Sequence, residues 1–263
     1  MTAFQPAESA RAASRDYTVP LWLLKLGALL NVYFLLAIRG TGEPFILVPA
    51  QVFFAVSAFR CLFPVRYEHN VVFHDSVLSS IFLTRLLATF AEVAYIFQFS
   101  YMLRQLDADH VPFVTALSWL MVALVLVSQI LAWLAILTGR LILYFYEELG
   151  WAFIFAMNSV ASAYLYFRAG NTVTHPAHLQ VSLLFGAFYL PWQLLHLRML
   201  RSNTQRESAD RASGGLFRAL RVRNRRIDAD SWGGAVGLSW MFGYWAAIIP
   251  PWVYAITLLP GSH

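Results

Sequence analysis

The chain has one cysteine, Cys61, and one lysine, Lys25, and only 13% of its 263 residues are charged. A lone cysteine excludes an intrachain disulfide and any CxxC motif, so cysteine usage gives no sign of an oxidising compartment. A lone lysine this early excludes a retinal protein of the microbial rhodopsin kind, which needs a lysine in its last helix. A phosphate-binding glycine loop, a dinucleotide fingerprint and a nucleophile elbow are all missing, and no pattern names a cofactor.

What the chain has in excess is apolar surface. Hydrophobic residues make up 59% of it and the mean hydropathy is +0.58, too much for a soluble fold to cover. A bilayer core about 30 Å thick takes roughly 20 apolar residues per helix. Seven such runs lie near 20–38, 43–63, 77–103, 111–138, 141–168, 177–199 and 237–259. The stretch from Val122 to Ile136 is apolar on every side rather than at alternate positions, which excludes a barrel. The expected fold is an all-α, polytopic membrane helix bundle of about seven transmembrane helices. Residues 1–19 form a polar N-terminal tail, with no signal-peptide character up to Asp16. Residues 200–236 form a basic loop before the last helix.

Arginines set the expected orientation. Arg11, Arg15, Arg60, Arg66, Arg140 and the nine arginines from Arg198 to Arg226 fall on one side of a seven-helix arrangement, against Arg39, Arg104 and Arg168 on the other. The positive-inside rule then puts the N-terminus in the cytoplasm and the C-terminus outside, opposite to a G-protein-coupled receptor. The first two helices are joined by the turn Arg39-Gly40-Thr41-Gly42-Glu43-Pro44, with Pro44 suiting a helix start.

Within the basic loop, residues 201–215 read as flexible, and 216–221 alternate apolar and basic residues at helical spacing. Such a segment suits the headgroup region, with Leu216, Phe217 and Leu220 dipping in and Arg221, Arg225 and Arg226 facing anionic lipid. The expected partners are therefore the bilayer and anionic headgroups along 216–226, not nucleic acid.

Ionisable groups within the apolar runs are costly and commonly functional. Lys25, Arg85, Glu92, Glu147, Glu148 and His196 are such groups. With about 1.5 Å of rise per residue, Lys25, Arg85 and the Glu147-Glu148 pair lie roughly 7 to 13 Å from the cytoplasmic surface, and Glu92 lies two turns deeper on the face of Arg85. Arg85 is expected to pair with Glu147 or Glu148 across the third and fifth helices, and Lys25 to reach the other carboxylate. Glu92 is then left unpaired, near Thr89, Tyr95 and Gln98, as a candidate general acid or base. The blander alternative is a structural salt bridge, with Lys25 and His196 snorkelling.

The remaining features read as architecture. Ala152, Ala156, Ser159 and Ala163 give the fifth helix a small-residue face, and Pro191, Pro250 and Pro251 are expected to kink the last two helices. Trp22, Trp151, Trp232 and Trp252 suit interfacial belts. Asp107, Asp109, His110, His175 and His178 on one side, and His69, His74 and Asp75 on the other, offer poorly specific metal sets, and no metal is expected. Glutamate-type intramembrane proteases place an arginine four residues after the second of their paired glutamates, where this chain has Ala152.

The leading expectation is a membrane-embedded enzyme acting on a lipidic substrate, isoprenoid or acyl, in the cytoplasmic half of the bilayer. Glu92, Arg85, Glu147 and Glu148 would carry the chemistry, and Lys25, Tyr95, Gln98 and His196 would contact substrate. The alternatives are a proton-coupled carrier and a noncatalytic subunit or assembly factor of a membrane complex.

Overall fold

The computed structural model describes residues 15–38, 43–67, 70–169, 176–205 and 215–258. The first interhelical turn at 39–42, the tail before Arg15, the segment 206–214, His69, His175 and the C-terminal residues from 259 lie outside them.

The chain is an all-α bundle. Its long helices are α1 (Thr18–Ala37), α2 (Pro44–Leu62), α3 (Ile81–Leu106), α4 (Pro112–Thr138), α5 (Leu141–Ala169) and α6 (Pro176–Gln205). A short α7 (Leu216–Arg221) precedes α8 (Gly234–Phe242) and α9 (Ile249–Thr257). Local signals explain the boundaries. Pro44 and Pro112 occupy first-turn positions that need no N–H partner, and Ser80 caps α3 by accepting from the Leu83 amide at 3.3 Å. Gly139 ends α4 in the left-handed region, at φ 72°, where a Cβ is disfavoured.

Among the described residues, α1 to α5 are the five helices long and apolar enough to cross a membrane. α6 is as long, but His178, Gln180, Gln193 and His196 break up its apolar run. The outer surface stays apolar: Leu29, Phe90, Phe167 and Phe188 are all more than half exposed. Water penalises that arrangement and hydrocarbon does not.

Successive helices from α1 to α6 pack against their neighbours, and the C-terminal segment packs against α1, α2, α3 and α6, closing the ring. This segment is not one continuous helix. A π-turn, Gly243–Ala247, separates α8 from α9. Pro250 and Pro251 have no N–H to return to the carbonyls four residues earlier, so the α-ladder cannot run through. Within the break, the carbonyl of Trp245 accepts from Asn31 Nδ2 at 2.8 Å and from Cys61 Sγ at 3.3 Å, which ties the interruption to α1 and α2.

The core between these helices is aromatic. Tyr95 stacks on Trp151 with ring planes 4° apart, and Phe99, Phe155, Phe185 and Trp252 continue the cluster. Trp151, Trp232 and Trp252 are buried in the protein, contrary to the expectation of an interfacial belt. Only Trp22 of that set is exposed. Composition places tryptophan at a depth but cannot say which way it faces.

A small β-structure caps one end of the bundle, where α2, α4 and α6 finish and α3, α5 and α8 begin. β1 (Val65–Arg66) pairs antiparallel with β2 (Val71–Val72), which pairs in parallel with β3 (Asn224–Arg225). The chain leading into α1 joins the same cap, the Tyr17 amide donating to the Ile227 carbonyl at 2.7 Å. Asp75 and Arg223 add an ion pair at 2.8 Å. In the basic segment, Leu216, Phe217 and Leu220 are exposed, as are Arg221, Arg225 and Arg226.

Candidate functional site

Beneath the cap lies a cavity of about 550 Å³, lined from α2, β1, α3, α5, α6 and the C-terminal segment. Its polar wall contains Arg60, Arg85, Glu92, Glu147, Glu148 and His196. Helix geometry explains the convergence. All of these side chains lie in the helix halves nearest the cap, and Arg85 and Glu92, seven residues apart, share one face of α3.

Arg85 is the hub. Its Nη1 is 3.2 Å from a Glu147 oxygen, and its Nη2 is 3.2 Å from Glu92 Oε2 and 2.6 Å from Gln129 Oε1. Gln129 Nε2 in turn donates to Glu92 Oε2 at 2.7 Å. The expected bridge between α3 and α5 is therefore present, but Glu92 is not unpaired. Arg85 reaches back two turns to it, and Gln129, supplied by the otherwise apolar α4, completes the network. A buried guanidinium flanked by two carboxylates and an amide has its charge met by protein and its two terminal nitrogens engaged.

Glu147 and Glu148, about 100° apart around α5, serve different neighbours. Glu148 turns to α6, accepting from Gln193 Nε2 at 2.8 Å and standing 4.0 Å from His196 Nε2. The His196 ring stacks on Trp192, and its Nδ1 is buried with no hydrogen-bond partner. Glu148 and His196 thus form a carboxylate–imidazole pair bordering the cavity.

Three of the expected substrate-contacting residues lie elsewhere. Lys25 sits with its Nζ 3.8 Å from the centre of the Trp22 ring, outside the cavity lining. Its place beside the carboxylates is taken by His196 and Gln193. Tyr95 is fully buried in the aromatic core. Gln98 donates to the Ile46 carbonyl at 3.1 Å and to the Val253 carbonyl at 3.5 Å, tying α3 to α2 and α9.

Sequence reasoning treated Arg60 only as a topological charge. Arg60 is 5% exposed, and its guanidinium lies 5.0 Å from the ring centres of both Tyr67 and Trp245. Its Nε and Nη1 are buried without hydrogen-bond partners. The available signal was its position, inside the apolar run that ends at residue 63 rather than beyond it. Tyr67 and Tyr244 also line the cavity, each with a buried, unpartnered hydroxyl. Burial pushes the Tyr67 hydroxyl above the ordinary tyrosine range, with Arg60 and Arg85 opposing it, so it remains a donor at neutral pH.

Comparison of the chain with protein-family models, curated proteins and solved structures finds no match. The functional reading rests on the chemistry of the cavity.

Among the described residues no three His, Cys, Asp or Glu side chains come together as a metal-binding group. Asp107 is committed locally, accepting from the Val111 amide at 2.7 Å.

Proposed function

We propose that this chain is a membrane-embedded enzyme acting on a lipidic substrate, isoprenoid or acyl, by acid–base chemistry in the cytoplasmic half of the bilayer. The observation that carries the reading is the Glu148–His196 pair on the wall of the cavity, beside an Arg85 whose charge is already neutralised. A carboxylate and an imidazole 4.0 Å apart are spaced to exchange protons with a substrate atom or a water lying between them, and stacking on Trp192 orients the imidazole. Glu92, Glu147 and Gln129 act through Arg85 as positioning residues, keeping that wall rigid.

In this reading α6 and the interrupted C-terminal segment also span, giving seven crossings. The cap and the arginine-rich segment face the cytoplasm. Leu216, Phe217 and Leu220 then rest against the headgroups, with Arg221, Arg225 and Arg226 toward anionic lipid.

The test is turnover in liposomes made from a total lipid extract, with products followed by mass spectrometry. Wild type is expected to consume one lipid species and produce another, and Glu148→Gln and His196→Gln to abolish the change while retaining the fold. Identical lipid profiles for wild type and Glu148→Gln would overturn the enzyme reading. The carrier reading would then gain weight from the break at Gly243–Ala247, because Tyr244 and Trp245 within it line the cavity.

A further inference from the structure

Among the described residues, the cavity lining holds one buried cation with no ion pair, Arg60. Arg85 is neutralised by its two carboxylates, with both terminal nitrogens engaged by them and Gln129, and Arg66 donates to the Ser231 carbonyl at 3.2 Å. Arg60 has buried N–H groups and no anion among the described residues. An uncompensated guanidinium at this depth is costly unless something bound in the cavity answers it. The rings of Tyr67 and Trp245, each 5.0 Å away, hold its plane without using its donors.

The unpartnered donors of the lining residues set the chemistry of an anion that would suit the cavity. They are Nε and Nη1 of Arg60, the hydroxyls of Tyr67 and Tyr244, and Nε of Arg85, five in all. A planar carboxylate offers two oxygens, whereas a phosphate monoester offers three arranged tetrahedrally, a better match to donors arriving from separate elements. The lining also has an apolar part, with Met199, Leu200, Trp240 and Met241. A volume of about 550 Å³ accommodates a headgroup and the first part of a chain.

We propose that the cavity binds the phosphate ester at the head of a lipidic molecule, with Arg60 as its principal ligand and the Tyr67 and Tyr244 hydroxyls as further donors. The proposal rests on reading the cavity as the substrate site, and it assigns the headgroup class that the acid–base pair works beside.

The experiment is equilibrium binding of dioctanoyl phosphatidate to the full chain in mild detergent. Dioctanoylglycerol, dodecanoate and inorganic phosphate serve as comparison probes. Wild type should bind phosphatidate at least roughly tenfold more tightly than dioctanoylglycerol or dodecanoate. Arg60→Gln should weaken phosphatidate by roughly tenfold or more, with Arg60→Lys recovering part of the loss. Tyr67→Phe keeps the ring over Arg60 and removes only the hydroxyl, so a loss of roughly threefold is expected there. It carries the test if Arg60→Gln does not fold.

Equal phosphatidate affinity in wild type, Arg60→Gln and Tyr67→Phe would overturn the proposal, as would dioctanoylglycerol or dodecanoate binding as tightly as phosphatidate. Inorganic phosphate binding as tightly as phosphatidate would overturn the lipid half of it and make free phosphate the ligand. Binding is read without turnover, so the two claims fail separately. Failure here beside a Glu148-dependent lipid conversion leaves the enzyme standing with another headgroup, and binding without conversion removes the enzyme alone.

Discussion

Gln129 on α4 and Glu92 on α3 are joined by a hydrogen bond of 2.7 Å, and the oxygen that accepts it also accepts from Arg85. Two helices therefore meet at one carboxylate, and Arg85 links it onward to Glu147 on a third, α5. Gln129→Leu removes a donor from Glu92 and an acceptor from Arg85 together, and is expected to cost about 1–3 kcal/mol, read from reversible unfolding in mixed micelles. A midpoint equal to that of wild type would show that the amide is dispensable.

Arg85→Gln should be worse, since it strands Glu92 and Glu147 as buried carboxylates. The expected loss is about 3–5 kcal/mol by the same assay. Combining Arg85→Met with Glu92→Gln and Glu147→Gln removes all three charges and should recover most of it. No recovery would mean that the network's value lies in shape rather than charge.

How far these contacts could be read from the sequence depends on which helix supplies the partner. The bridge from Arg85 to Glu147 was legible, because both are ionisable groups at similar depth in apolar runs. The attachment of Glu92 was not, because its second partner is an uncharged glutamine in the most apolar helix, and no local pattern reports which way Gln129 faces. Arg60 was hidden by its usefulness as a topological marker. The cap escaped for another reason: strands two residues long carry no periodicity, and their pairing joins positions about 150 apart in the chain. The all-α class, by contrast, follows from composition and run length, which need no knowledge of facing.

Gly27 lets α1 approach the C-terminal segment closely. A Cβ there would meet the Ala246 Cβ at 2.5 Å and the Cys61 Sγ at 3.0 Å. Gly27→Val is expected to push α1 outward, lengthen the contact from Asn31 to the Trp245 carbonyl, and cost about 1–3 kcal/mol. An unchanged unfolding midpoint would show that α1 can shift without penalty.

Cys61 is fully buried, with its Sγ 3.3 Å from the Trp245 carbonyl. The native protein should resist maleimide for as long as the break at Gly243–Ala247 stays packed on α2, and react stoichiometrically once denatured. Rapid labelling under native conditions would show that this contact opens freely.

Asp228 supplies a pH dependence in the cap. Hydrogen bonds from the Ser231 amide and hydroxyl, each 2.9 Å, hold its carboxyl below the ordinary range. A depressed carboxylate stabilises the fold above its unfolded pKa, and that contribution is lost as pH falls through the folded value. Protection of the Ser231 amide, measured relative to the intrinsic exchange rate at each pH, should therefore fall as pH drops below the ordinary aspartate range, and Asp228→Asn should remove that change in protection. Protection that stays constant across this range in wild type would contradict the assignment.

β3 joins its partner strands only after everything up to residue 225 has been made, and the segment holding Tyr244 and Trp245 follows later still. The partners of the α3 and α5 carboxylates in the Arg85 network, by contrast, all lie on α3, α4 and α5, which are made earlier. Competence is conferred last, when the final segment inserts between α1, α2, α3 and α6. A polypeptide stalled before that point would hold all six long helices, yet lack the residues that complete its chamber.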